Sequence, residues 1–73
     1  MANKEPIRDF YNRIIGYVET LDNGDQIARD FYNRILGYWY KRDNTTRNFY
    51  KQIIGRGNFV TNLIFEENAK NGR

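Results

Sequence analysis

Hydrophobic and polar positions along this chain follow one pattern, used three times. Arg8-Asp9-Phe10-Tyr11-Asn12-Arg13-Ile14-Ile15-Gly16-Tyr17 returns as Arg29-Asp30-Phe31-Tyr32-Asn33-Arg34-Ile35-Leu36-Gly37-Tyr38, identical at nine of ten positions. A third copy, Arg47-Asn48-Phe49-Tyr50-Lys51-Gln52-Ile53-Ile54-Gly55-Arg56, keeps six of the ten. The copies are offset by 21 and 18 residues, which marks a single supersecondary unit repeated in tandem. Roughly twenty residues is too few for a helix–turn–helix repeat but suits a β-hairpin with its connection. Ile14-Ile15-Gly16-Tyr17-Val18 and Ile35-Leu36-Gly37-Tyr38-Trp39-Tyr40 are β-branched and aromatic, as strands prefer. Between copies lie Asn23-Gly24, a strong hairpin signal, and Asp43-Asn44, also a turn former.

Each copy needs a turn of its own, and Asp9-Phe10-Tyr11-Asn12 has the chemistry for one. Asp at the first position accepts from turn N–H groups. Asn at the fourth tolerates the left-handed conformation that a three-residue loop with a bulge requires. The pattern therefore predicts strand, tight turn, strand in every copy. The alternative, one long strand from Ile7 to Glu19, far exceeds the usual five or six residues. The expected fold is mainly β: three tandem β-hairpin repeats over about 6–20, 27–41 and 45–57, forming a six-strand antiparallel meander. By alternation, Ile14, Gly16 and Val18 point one way and Ile15 and Tyr17 the other; Ile35, Gly37 and Trp39 oppose Leu36, Tyr38 and Tyr40. Both faces are then apolar, so a curled, barrel- or prism-like sheet, the tail or another subunit must cover them. The in-strand Gly16, Gly37 and Gly55 imply a bulge or an aromatic side chain from the paired strand lying across them.

The tail leaves the repeat. Asn58 suits a helix N-cap, and Phe59, Val60, Leu63 and Ile64 form a helical stripe. Glu66 and Lys70 stand four apart in the favourable order. A C-terminal helix over about 59–67 follows, with a seventh strand as the alternative and residues 69–73 frayed.

Composition narrows the function. The chain has 73 residues with no Cys, His or Ser, so it forms one small domain without disulfides, histidine bases or the usual zinc sites. What remains for catalysis is carboxylate, Tyr, Lys, Arg and Thr chemistry, which needs a cleft that so short a chain rarely builds. The reading is no enzyme, no cofactor and no metal. With disulfides and metals removed, stability must come from good packing or self-association. The net charge of +3 is mildly basic, and no apolar run is long enough to span a membrane. The polar start from Met1 to Pro6 lacks an apolar signal region, so a bacterial-type cytoplasmic protein, or a phage protein made there, is expected.

Candidate interaction residues are the strand aromatics Tyr17, Tyr38, Trp39 and Tyr40, and the turn residues Phe10, Tyr11, Phe31, Tyr32, Phe49, Tyr50, Arg13 and Arg34. The bland expectation is that each turn Phe folds over the core or a neighbouring copy. The functional one is a row of aromatic platforms for sugars or unstacked bases. Repeated Arg residues beside aromatics make either cross-strand pairs or a basic stripe for single-stranded nucleic acid.

The motif from Asp9 to Gly16 resembles tandem Asp-Phe-Tyr-Gly-Arg-Ile-Ile/Leu-Gly repeats of small uncharacterised bacterial proteins, mostly of gut Firmicutes type. In those the fourth turn residue is Gly; here it is Asn12, Asn33 and Lys51. A shorter similarity is to the YD-type hairpin repeats of bacterial shell proteins. Neither resemblance implies an activity. The leading expectation is a non-enzymatic hairpin-repeat interaction module that forms a homo-oligomer. Single-stranded nucleic-acid binding and carbohydrate binding are the alternatives.

Overall fold

A computed structural model describes residues 3–70. Met1 and Ala2 of the polar start, and positions 71–73 of the expected frayed end, lie outside the described residues. The strands are β1 (Asn3–Arg8), β2 (Ile14–Thr20), β3 (Gln26–Asp30), β4 (Ile35–Tyr40), β5 (Thr45–Asn48) and β6 (Ile53–Arg56), and one helix, α1 (Val60–Lys70), follows. All six strands form one antiparallel sheet in sequence order. The meander is as expected, but the sheet is open: β1 and β6 are its edges, so it makes no barrel or prism.

Every hairpin carries the same irregularity. Register shifts fall between Ile7 and Arg8, between Ala28 and Arg29, and between Thr46 and Arg47, each opposite the Ile-Ile/Leu pair of the partner strand. One extra residue per hairpin, Ile15, Leu36 or Ile54, is left without a cross-strand partner. This overturns simple alternation. Ile15 joins the core with Val18, Ala28, Val60 and Ile64, and Leu36 and Trp39 pack against that cluster.

The core lies between α1 and one face of the sheet. Small residues make a trough there: Ala28 pairs with both Val18 and Gly37, and Thr46 pairs with Trp39 and Gly55. The helix rests in the trough. A Cβ on Gly16 would meet Cγ2 of Ile64 at 2.6 Å and the Arg29 carbonyl oxygen at 2.5 Å. One on Gly37 would meet Cδ1 of Leu63 at 2.5 Å and the Arg47 carbonyl oxygen. Of the two features expected at these glycines, the bulge is present beside each, and a helix residue, not an aromatic from a paired strand, lies across them. Only Gly55 of the three has a ring across it, that of Phe59, which comes from the approach to the helix.

The tail is a helix, not a seventh strand, and it extends past the expected end to Lys70. Its entry is pinned by two bonds: Asn58 Oδ1 accepts from the Val60 N–H at 3.3 Å, and Thr46 Oγ1 accepts from the Phe59 N–H at 2.9 Å. Thr46, fully buried, also donates to the Gly57 carbonyl at 2.6 Å, so one hydroxyl ties the sheet to the helix entry. Val60 and Ile64 are the buried stripe. The expected Glu66–Lys70 pair is not among the ion pairs of the described residues.

Repeat junctions set a Tyr opposite an Arg on the other face. Tyr17 pairs with Arg29 across β2 and β3, and Tyr38 with Arg47 across β4 and β5. The third copy has Arg56 where the others have Tyr17 and Tyr38, and among the described residues no strand lies beyond β6 to pair with it. At the other edge, the Asp9 N–H donates to Arg13, so alternation turns the backbone nitrogen of Pro6 outward. A proline there offers no donor to an incoming strand. Copy-to-copy differences thus fall at the two edges of the sheet. No helix among the described residues is long and apolar enough to cross a membrane.

Candidate functional site: a row of aromatic turns

In a sequential meander the β1–β2, β3–β4 and β5–β6 turns leave the sheet at one end. Successive turns are two strands apart, roughly 10 Å. They are one construction repeated. In the first, the Asp9 N–H donates to the Arg13 carbonyl and the Asn12 N–H to the Asp9 carbonyl. Asp9 Oδ1 accepts from the N–H groups of Tyr11 and Arg13, each at 2.9 Å. Arg8 reaches over to donate to the Asn12 carbonyl at 3.0 Å. Asn12 has φ 65°, Asn33 φ 70° and Lys51 φ 65°, so all three fourth positions are left-handed. Lys51 keeps the conformation despite its poorer intrinsic fit, because the rest of the turn is in place.

The motif's polar residues are therefore turn builders. Asp30 repeats the role of Asp9, holding the Arg34 N–H at 2.8 Å and its Nε at 2.7 Å, while Arg29 donates to the Asn33 carbonyl at 3.0 Å. In the third turn Asn48 takes the carboxylate's place, accepting from the Tyr50 and Gln52 N–H groups at 2.9 and 3.0 Å. Its Nδ2 donates to Gln52 Oε1 at 3.0 Å, so a neutral amide pair replaces the Asp–Arg ion pair.

The backbone N–H of Arg13 is the main cause that holds the Asp9 carboxyl below its ordinary value of 3.8; partial desolvation opposes this, and the Arg13 guanidinium and Tyr11 N–H reinforce it. A carboxyl depressed in the fold stabilises it above the unfolded value, and that contribution fades as pH falls through the folded one. Acid titration followed by amide NMR should therefore shift the Tyr11 and Arg13 resonances below about pH 4. Tyr50 and Gln52, bonded to an amide that does not titrate, should stay put. Equal movement at both turns would refute the assignment of these bonds.

What the turn does not need is the pair of rings at its tip, and those rings face solvent. Phe10 is 95% exposed, Phe31 46% and Phe49 55%. The expectation that they fold over the core or a neighbouring copy is overturned: the three-residue loop carries its central side chains outward, past the end of the sheet. Each Phe instead packs edge-on against its own Tyr, with ring centroids 5.4–5.7 Å apart. The guanidinium of Arg13 lies 5.3 Å from the Tyr11 ring and that of Arg34 5.4 Å from Tyr32. Grooves run between the turns. One, of about 770 Å³, is lined by Arg29, Arg34, Phe49 and Tyr50 among others, with Glu67 of α1 on its border. Another, about 310 Å³, lies between the third turn and the C-terminal end of α1.

The strand aromatics divide. Tyr17, Tyr38 and Tyr40 are half-buried on the face away from α1, where Tyr38 and Tyr40 stack 6.1 Å apart. Cations lie over each: Lys4 over Tyr17, Lys51 over Tyr38 and Arg47 over Tyr40. Lys4 also donates to Asn33 at 3.0 Å, so the Tyr face runs continuously into the second turn. Trp39 stands apart from this surface. It packs against the core, with Nε1 donating to Asn44 at 2.9 Å.

Two features were missed at the level of sequence. Apolar side chains are bare at the β6 side, where Ile53, Ile54 and Phe59 are exposed. Lys4 and Lys51, outside the candidate list, join the aromatic surface. Among the described residues no group of three metal-ligating side chains occurs. Searches of protein-family models, curated proteins and solved structures found no match to this chain.

Proposed function

We propose that this chain is a non-enzymatic interaction module of the cytoplasm that associates with a second copy along its β6 side and holds its aromatic turns out for a partner. One observation carries the self-association. The bulge residues Ile15, Leu36 and Ile54 occupy equivalent places in the three hairpins. Ile15 is 7% exposed and Leu36 half-buried, whereas Ile54 is 50% exposed because no further repeat adjoins it. Phe59 beside it is exposed too, and together with Gly55 and Leu63 they line a cavity of about 360 Å³. The β1 edge offers no equivalent, since Pro6 blocks it. Association at one edge only closes into a dimer instead of growing into a filament.

Sedimentation velocity at micromolar concentration should show a dimer, and Ile54→Lys should convert it to a folded monomer. A wild-type monomer that remains folded at that concentration would sink the proposal.

A further inference from the structure

We propose that the end of the sheet bearing the Phe-Tyr turns, together with the adjoining Tyr face, binds single-stranded nucleic acid. This does not depend on the dimer. Charge is the first support. The segments 8–13, 29–34 and 47–52 hold six Arg and Lys against two Asp, a net +4 in a chain whose total is +3. Two more carboxylates pair with these cations from outside the segments, Glu19 with Arg29 at 2.9 Å and Asp43 with Arg47 at 3.1 Å, so with Lys4, which bonds Asn33 of the second turn, seven cations meet four carboxylates at this end, a net +3. Asp9 and Asp30 are engaged in building the turns and in pairing with Arg13 and Arg34.

Aromatic surface is the second support. Three exposed Phe-Tyr pairs, the first two with a guanidinium against the Tyr ring, combine stacking platforms with backbone-neutralising cations, the combination that sequence-tolerant single-strand binders use. Their interval of roughly 10 Å corresponds to about two or three nucleotides, taking ~3.4 Å per stacked nucleotide as the lower limit. The path is set by charge as well. Glu66 and Glu67 border the grooves on the helix side, so a polyanion runs along the side away from α1, over Lys4, Lys51 and Arg47. A duplex cannot present its base faces to such platforms. A lipid surface would call for all three tips to protrude, whereas Phe31 and Phe49 are only about half exposed, unlike Phe10.

The test is fluorescence anisotropy of the full chain with a labelled single-stranded twelve-nucleotide probe, its duplex, and vesicles of mixed neutral and anionic phospholipid. Expected are binding to the single strand at low salt, weaker binding to the duplex, and affinity falling with added salt. The triple change Phe10→Ser, Phe31→Ser, Phe49→Ser should weaken single-strand binding by roughly tenfold or more and leave the salt slope unchanged. Lys4→Gln with Lys51→Gln should reduce the slope by about 1.4. Circular dichroism confirms that both variants fold. Three outcomes would each overturn the proposal: no binding at low salt, binding indifferent to the Phe changes, or binding to vesicles without binding to the oligonucleotide.

Discussion

Ile64→Ala is expected to be the most damaging single truncation in this protein, costing about 2–5 kcal/mol. Ile64 is fully buried, its Cγ2 sits against Gly16, and it belongs to the core cluster with Ile15, Val18 and Ala28. That cluster is all the buried apolar material the described residues contain, so no second core can take up the loss. For a domain whose whole stability is of order 0.05–0.15 kcal/mol per residue, the loss is a large fraction of the total. The single Trp39, packed against the same cluster, reports it directly. Urea denaturation followed by Trp fluorescence should show the midpoint falling by a third or more, or the chain already unfolded in buffer. A midpoint within error of wild type would mean that α1 is not seated on the sheet as described.

Gly37→Ala should be nearly as harmful, for the opposite reason. Here nothing is removed; a methyl group is added where the Arg47 carbonyl and Leu63 Cδ1 already stand. Overpacking of this kind costs about 1–3 kcal/mol, which lowers the melting temperature of a domain this size by roughly 4–8 °C per kcal/mol. The two obstacles can be separated. Leu63→Ala removes the side chain and leaves the carbonyl, which belongs to the β4–β5 ladder and cannot retreat without breaking it. The double variant should therefore recover only part of the Gly37→Ala loss, measured as a coupling term in a double-mutant cycle. Gly55→Ala is the control. Its added methyl would meet only the Phe59 ring, at 3.3 Å, and that exposed ring can move aside.

These expectations show why the glycines recur. The motif reads as a strand with a bulge or a ring at its gap, whereas at Gly16 and Gly37 the gap is filled by a helix more than twenty residues away in sequence. Phe-Tyr invited a similar misjudgement. Six large rings in the turns of a 73-residue chain look like missing core, yet they are exposed. The core is instead made from Ile15, Val18, Ala28, Val60 and Ile64. A three-residue loop cannot return its central side chains over the sheet, so the turn geometry decided their exposure. The helix, by filling the trough, left them no core to reach.

Amino-acid order alone specified the features that arise within five or six residues. The Asp side chain finds N–H groups two and four positions on, Asn12 and Asn33 accept the left-handed conformation, and the apolar runs between turns pair as strands. Such bonds close small loops at little entropic cost and need no distant partner, so three hairpins and a capped helix were legible from the chain. Which face α1 covers, the inward turn of Ile15 at the bulge, the openness of the sheet, and the gathering of charge and rings at one end were settled only by tertiary structure. Each depends on burial among elements far apart in sequence, and burial is decided by the whole packed arrangement, not by local preference.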